Sequence, residues 1–215
     1  MENDGGSLLV DCGPDCRQQL LDAETEQLDA VIVTHDHADH CHGIDDMRSL
    51  ARRIGRKLPL WARQDVLDGL ARRFEYAFTG HHFYEPMFDP VPLGQEAEWA
   101  GGRFRFVDQP HGGISSLGLR YDYQAQSIAY AIDFHDMTEE MRNLYQGVDL
   151  FICDCFQRDP HPTHAHLGAV LEWAKELQVG QLLLSHLDIS LDYGQLEKEL
   201  PDWAAPAHDG LEIIL

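Results

Sequence analysis

The segment at residues 34–40, with the sequence THDHADH, contains four side chains that can bind metal: His35, His37, Asp39 and His40. Imidazole is the commonest metal ligand, and carboxylates complete many catalytic metal sites. The segment directly follows the apolar run at residues 30–33, so we expect it on an irregular loop that leaves a buried strand. Loops positioned by a rigid scaffold commonly carry binding residues. This context favours a two-metal ligand cassette over a chance cluster of histidines.

The composition is strongly acidic, with 37 Asp and Glu residues against 16 Lys and Arg and a formal net charge of −21. Such a surface repels phosphate backbones, so we expect no nucleic-acid partner. The five cysteines form neither an even disulfide framework nor a structural zinc motif, which favours reduced thiols. No signal peptide and no run of about 18 apolar residues is visible, so we expect a cytoplasmic protein without a membrane partner.

Hydrophobic patterns of strand and helix type alternate along the chain, which predicts a single layered α/β domain over residues 1–215 with helices outside two sheets. The predicted strands are residues 8–10, 30–33, 58–61, 104–107, 117–123, 127–132, 150–153, 181–185 and 211–215. The predicted helices are residues 47–54, 65–78, 167–177 and 193–200. Prolines at positions 86, 90 and 92 predict an irregular surface loop at residues 81–92.

The cassette, placed after a buried strand, resembles the T-H-x-H-x-D-H signature of the metallo-β-lactamase superfamily. The resemblance extends over nearly the whole chain. It implies a four-layer αββα sandwich with the metals at one edge. The family normally has further strands before the D-x-G element, whereas this chain begins close to Leu8. We therefore expect the first N-terminal strands of the fold to be absent.

The resemblance also implies the remaining ligands. Residues 9–13, LVDCG, resemble the D-x-G element, in which Asp11 supports the ligands without binding metal itself. His111, Asp133 and His186 each lie at or after the end of a predicted strand and match the later ligands of the family. The implied set is His35, His37 and His111 for the first metal, Asp39, His40 and His186 for the second, and Asp133 as the bridge. Imidazole-rich ligation suits two zinc ions, although carboxylates also admit manganese or iron.

Within the superfamily, the pattern is most similar to the PhnP-like phosphodiesterase branch. Residues 110–118, PHGGISSLG, and residues 128–133, IAYAID, resemble the segments around its third histidine and its bridging aspartate. Residues 163–167, THAHL, resemble the segment with its catalytic, non-ligand histidine, which corresponds to His164. We expect Thr163 to cap the following helix, with His164 and His166 in its first turn, where a phosphate group is favoured.

The resemblance to this branch implies hydrolysis of a small phosphodiester, cyclic ones included, through a metal-bridged hydroxide. His164 and Asp39 are the expected catalytic residues, with His164 protonating the leaving alkoxide or stabilising its charge. His135 lies where small residues usually follow the bridging aspartate, and it could narrow the pocket. The branch commonly forms homodimers, so a second copy of the chain is a candidate partner.

Two alternatives to the phosphodiesterase hypothesis stay open. Thioester and lactone hydrolases of the same superfamily use the same ligand set, as do tRNA 3′-processing nucleases, which the acidic charge disfavours. The other alternative is a non-catalytic relative that retains the fold and binds a ligand.

Overall fold

The computed structural model describes residues 1–3 and 5–215 of the chain. The described chain divides into two compact units, Met1–Gly94 and Gln95–Leu215, and each unit contains one β-sheet with helices. This confirms the predicted combination of two sheets with helices. Among the described residues, no helix is long and apolar enough to cross a membrane.

The sheet of the first unit has five strands in the order β1-β2-β3-β4-β5. The strands are β1 Glu2–Asn3, β2 Gly6–Val10, β3 Ala30–Ile32, β4 Leu58–Ala62 and β5 Phe88–Pro92. The helices are α1 Cys16–Asp22, α2 Ala38–Cys41, α3 Met47–Ile54, α4 Gln64–Arg73 and α5 Glu75–Thr79, with a 3₁₀ turn at Ile44–Asp46. β1 and β2 pair antiparallel, whereas the other neighbouring strands are parallel and are therefore joined by crossover connections.

The middle strand of this sheet, β3, has the sequence Ala-Val-Ile and is buried along its whole length. A continuous apolar run is typical of a parallel strand that is covered on both faces. Its Val31 belongs to the same core as Leu60 of β4, Phe88 of β5 and Met47 of α3. α3 ends at Ile54, and the next residue, Gly55, has a φ of 74°, the left-handed conformation common just after a helix C-terminus. β3 is thus a rigid base for the residues that follow it.

The sheet of the second unit has seven strands in the order β12-β11-β10-β9-β8-β7-β6. The strands are β6 Glu96–Trp99, β7 Gly102–His111, β8 Ile114–Tyr123, β9 Gln126–Ala131, β10 Leu150–Asp154, β11 Gln181–Ser185 and β12 Ala204–Pro206. The helices are α6 Glu139–Tyr145, α7 Leu167–Glu176 and α8 Tyr193–Glu199. β6 to β9 form an antiparallel meander, and β9 to β12 are parallel.

The parallel strands β9, β10 and β11 lie side by side in the second sheet. Cys153 of β10 is opposite Ala131 of β9, and Asp154 of β10 is opposite Ser185 of β11. Because the carboxyl ends of these three strands lie at the same edge of the sheet, the residues that follow them are brought together. The register therefore fixes which polar side chains meet at this edge.

One predicted loop is correct only in its first part, and one predicted strand is wrong. The loop predicted at residues 81–92 ends in a strand, β5, which pairs only with β4 at the edge of its sheet. Pro90 and Pro92 are compatible with an edge strand because it has a side that needs no backbone donor. The strand predicted at residues 211–215 is not formed, and the strand beside β11 is Ala204–Pro206 instead.

The helical prediction at residues 65–78 is correct in type but not in extent. Phe74, with φ of −124°, separates α4 from α5. α6 was missed by the hydrophobic pattern, although the hydroxyl of its N-cap, Thr138, accepts a hydrogen bond from Met141 N and such caps mark helix starts. β1, α1 and β6 were also missed because they are short and carry weak periodicity.

We predict that Gly118→Ala destabilises the second unit by about 1–3 kcal/mol, because overpacking forces buried groups apart. A Cβ atom at Gly118 would collide with Tyr145 Oη and would lie 2.6 Å from Gln109 Oε1. Chemical denaturation would measure the free energy of unfolding. Gly113→Ala is the matched control, since a Cβ there meets no heavy atom within 4 Å among the described residues. Equal stability of the two variants would contradict the prediction.

Candidate metal centre

The histidine cassette begins immediately beyond β3. Thr34 and His35 are buried, His37 is the N-cap of α2, and Asp39 and His40 lie within that helical turn. The expected irregular loop is thus only partly correct, because one turn of helix sets the direction of the last two ligand candidates. The ring centroid of His35 lies 4.5 Å from that of His37 and 4.4 Å from that of His40. Three imidazoles therefore converge in the first unit.

Asp11 ties the cassette to the end of β2. Its Oδ1 accepts a hydrogen bond from Thr34 N at 2.8 Å, and its Oδ2 accepts one from Thr34 Oγ1 at 2.9 Å. His40 Nδ1 lies 2.8 Å from the same Oδ2, and because a carboxylate accepts, Nδ1 carries the proton. The other nitrogen, Nε2, then faces Asp39 Oδ2 at 3.4 Å. This carboxylate–histidine pair is the arrangement that orients metal-binding histidines.

Asp36, between the first two histidines of the cassette, points toward α4. Its carboxylate forms an ion pair with Arg73 and lies against Gly69, where an added Cβ would be 2.7 Å from Asp36 Oδ2. The cassette is therefore anchored on one side by Asp11 and on the other by α4. Asp36 has a structural partner, whereas His35 and His37 present their rings to each other.

In the second unit, the ligand candidates lie at strand ends. His111 is the last residue of β7, Asp133 follows β9 by two residues, and His186 directly follows β11. Asp133 and His186 both have φ of 58°, as does Asp11 of the first unit with φ of 60°. A left-handed conformation is costly for residues other than glycine and is retained where the surroundings enforce it. In this conformation, Asp11, Asp133 and His186 turn their side chains at the points where parallel strands end.

The three candidates of the second unit meet around one carboxylate oxygen. Asp133 Oδ1 lies 3.8 Å from His111 Nε2 and 3.5 Å from His186 Nε2. Donor atoms of His111, Asp133 and His164 all lie within 4.8 Å of one another, and so do those of Asp154, His164 and His186. Such a set of imidazoles and carboxylates fits a divalent metal ion and does not identify which one.

Neighbouring groups fix the ring of His111 and the backbone at Asp133. His111 Nδ1 lies 2.9 Å from the carbonyl oxygen of Thr163, which leaves Nε2 for a ligand role. Ser116 Oγ lies 3.0 Å from the carbonyl oxygen of Ile132 and 2.7 Å from that of Asp133. Gln109 Nε2 donates to the same Ile132 carbonyl at 3.0 Å. These buried contacts hold the strained turn at Asp133 in place.

His164 lies in an irregular segment and not in a helix. α7 begins at Leu167 with His166 as its N-cap, so the predicted cap at Thr163 and the predicted helical positions of His164 and His166 are wrong. The backbone of Thr163 serves a different purpose, because its carbonyl accepts the His111 hydrogen bond. The helix N-terminus therefore does not explain the position of His164.

His164 is held by two carboxylates and one aromatic ring. Its Nδ1 lies 3.0 Å from Asp133 Oδ1 and 3.2 Å from Asp154 Oδ2. Burial lowers the pKa of His164, but the hydrogen bonds to Asp133 and Asp154 outweigh burial and raise this pKa from 6.5 to about 9. The Phe156 ring stacks on His164 with centroids 4.5 Å apart and an interplanar angle of 20°. A cation on Asp133 would weaken the carboxylate's contribution to this pKa.

Asp154 is a polar residue of this site that the sequence pattern did not single out. It is the last residue of β10, and its side chain is fully buried beside His164 and His186. A signal for it exists, since it is a carboxylate at the carboxyl end of a buried parallel strand, as Asp133 nearly is. The hydrophobic pattern of this segment predicts only a strand.

Comparison with known proteins places the chain in a family. Residues 7–187 match the family described as "Beta-lactamase superfamily domain", and the chain therefore belongs to it. An octanoyltransferase of Porphyromonas gingivalis is 32% identical over 219 residues, covering 98% of this chain and 43% of its own length. The chain thus spans less than half of that relative. The anti-Pycsar protein Apyc1 of Paenibacillus harenae is 25% identical over 201 residues, covering 87% of this chain and 81% of its own length.

A solved structure agrees with this family assignment. A diphosphatase of the PhnP family superposes with a TM-score of 0.88 at 30% identity, covering 98% of this chain and 80% of its own. The expected metallo-β-lactamase fold and the expected resemblance to PhnP-like proteins are both confirmed.

We predict that Asp11→Asn lowers the affinity for divalent metal by about 10–100-fold, the usual effect of losing a carboxylate that orients a ligand histidine. Competition with a chromophoric chelator would measure the affinity. Asp29→Asn is the matched control in the same unit, because its carboxylate accepts from Ser7 N and pairs with Arg56, both of which lie outside the cassette. Unchanged metal affinity in Asp11→Asn would show that Asp11 serves folding alone.

Proposed function

We propose that this chain is a dinuclear metal-dependent hydrolase that cleaves a small phosphodiester, cyclic ones included. The observation that carries the proposal is the position of His164. Its Nδ1 lies beside the carboxylates of Asp133 and Asp154, and His164 does not occupy a strand-end ligand position. A histidine so placed can give a proton to a leaving group while the strand-end residues bind metal. Membership of the β-lactamase superfamily supports the metal-dependent part of the proposal.

The proposed ligands follow the family pattern, and the geometry within each unit supports them separately. The imidazoles of His35, His37 and His40 converge in the first unit, and His111, Asp133 and His186 converge in the second. We assign the first metal to His35, His37 and His111, the second to Asp39, His40 and His186, and the bridge to Asp133. Two divalent ions, zinc by ligand type, would supply a water of lowered pKa and neutralise phosphate charge.

The residues of the chain divide the remaining tasks. Asp11 and the Thr163 carbonyl keep the Nδ1 atoms of His40 and His111 occupied, so that their Nε2 atoms are available as ligands. His164 uses Nδ1 toward the carboxylates, which leaves its Nε2 to protonate the oxygen of the departing alkoxide. Phe156, stacked on the ring of His164, limits its rotation. Each group is thereby set in position before substrate arrives.

The similar proteins support a phosphorus-containing substrate but do not identify it. The similar solved structure is a diphosphatase of the PhnP family, which also makes a substituted diphosphate a reasonable substrate for this chain. A second candidate function is hydrolysis of an acyl thioester or ester, which the relative described as an octanoyltransferase favours. The same metal ligands would serve either reaction. In both, water attacks an electrophilic phosphorus or carbon atom, and negative charge on the attached oxygens must be stabilised in the transition state.

A substrate screen with metal-loaded protein tests the proposed function. We expect hydrolysis of bis-p-nitrophenyl phosphate and of a 2′,3′-cyclic nucleotide to exceed hydrolysis of p-nitrophenyl octanoate and octanoyl thioesters. Chelation should abolish the activity, and zinc or manganese should restore it. Preference for the acyl substrates would favour the second candidate. Metal binding without hydrolysis of either class would support a non-catalytic relative.

We predict that His164→Ala lowers kcat for the cyclic nucleotide by about 10²–10⁴-fold, the usual contribution of a general acid. The loss should be smaller for bis-p-nitrophenyl phosphate, because p-nitrophenolate leaves without protonation. Metal content, measured by atomic emission, should stay at the wild-type value. Asp39→Ala is the contrasting variant and should lose metal together with activity. Equal losses of kcat on both substrates, or loss of metal in His164→Ala, would remove His164 from the proton-donating role.

A further inference from the structure

Asp154 occupies the central position among the polar groups of the second unit. It ends β10, which lies between β9, the strand before Asp133, and β11, the strand before His186. Its side chain has 0% exposure to solvent. A carboxylate removed from water to this degree is costly unless donors surround it. The identity of those donors therefore indicates the role of Asp154.

The donors around Asp154 come from the segments that carry the candidate functional residues. Its Oδ2 lies 3.3 Å from Phe134 N, next to Asp133, and 3.3 Å from Ala165 N, next to His164. The same Oδ2 lies 3.2 Å from His164 Nδ1. Its other oxygen, Oδ1, lies 3.8 Å from His186 Nδ1, which is beyond hydrogen-bond distance but within ion-pair range. One buried carboxylate thus faces the Nδ1 atoms of two imidazoles and two backbone amides.

We propose that Asp154 is a positioning residue that orients His164 and His186 at the same time. By facing both Nδ1 atoms, it turns the Nε2 of His186 toward Asp133 Oδ1, 3.5 Å away. It leaves the Nε2 of His164 free for a leaving group. The inference for His164 rests on the proposed function, whereas the inference for His186 requires only that His186 binds metal.

The orientation of two rings by one carboxylate has a specific consequence. The ring centroids of His164 and His186 lie 5.1 Å apart with an interplanar angle of 17°, so the two rings are nearly parallel. If Asp154 holds them in this arrangement, loss of its charge affects a metal ligand and a proton donor together. If Asp154 served only to accept hydrogen bonds from Phe134 N and Ala165 N, loss of its charge would change the stability of the fold alone.

Asp154→Asn tests the inference, because asparagine keeps the size of the side chain and can still accept from the backbone amides. We expect the zinc-loaded variant to bind the weaker of its two metal ions about 10–100-fold less tightly in chelator competition. We also expect kcat to fall at least about tenfold more for the 2′,3′-cyclic nucleotide than for bis-p-nitrophenyl phosphate. Asp149→Asn is the control, since Asp149 accepts from Ser127 N and Oγ, at the opposite end of β9 from Asp133.

A second measurement uses the wild-type protein and does not depend on the variant folding. Long-range ¹H–¹⁵N correlation on the zinc-loaded protein reports the tautomer of each imidazole. We expect His186 to carry its proton on Nδ1, facing Asp154. An Nε2-protonated His186, or wild-type metal affinity in a folded Asp154→Asn, would overturn the inference. If wild-type protein hydrolyses neither diester, the proposed function fails, while metal affinity and tautomer still decide the role of Asp154.

Discussion

The buried carboxylate of Asp154 is the contact on which the geometry of the second unit depends. It accepts from the backbone beside Asp133 and beside His164, and it faces the ring of His186. Burying a charge without such partners would cost several kcal/mol, so the segments that supply the donors are held to it. The parallel register of β9, β10 and β11 then decides which segments these are.

Backbone strain accompanies this arrangement. Asp11, Asp133 and His186 follow parallel strands and all have left-handed φ values near 60°, which cost on the order of 1–3 kcal/mol each for residues other than glycine. Hydrogen bonds from Thr34 to Asp11, and from Ser116 to the backbone at Asp133, stabilise two of these turns. The left-handed backbone conformation changes the direction of each side chain at the end of its strand. An extended backbone would continue the direction of the strand.

The residues that carry their own local signal are predictable from the sequence. The cassette at residues 34–40 follows an apolar strand, and its donor types are sufficient to predict metal binding. His111, Asp133 and His186 carry no local signal by themselves and were found only by resemblance to a family. Asp154 was missed because a carboxylate at a strand end is ordinary in sequence. Its significance depends on His164 and His186, which lie 10 and 32 residues further along the chain.

The sequence by itself determined the family, most of the strands in the two sheets and the donor types of the metal ligands, because these depend on residue chemistry and short-range periodicity. The tertiary structure decided where His164 lies. A cap at Thr163 was a sound local prediction, but Thr163 contributes its carbonyl to His111 and the helix starts at Leu167. Contacts between segments far apart in the chain outweigh local helix propensity, because a buried hydrogen-bonded group left without its partner costs more than a helix cap contributes.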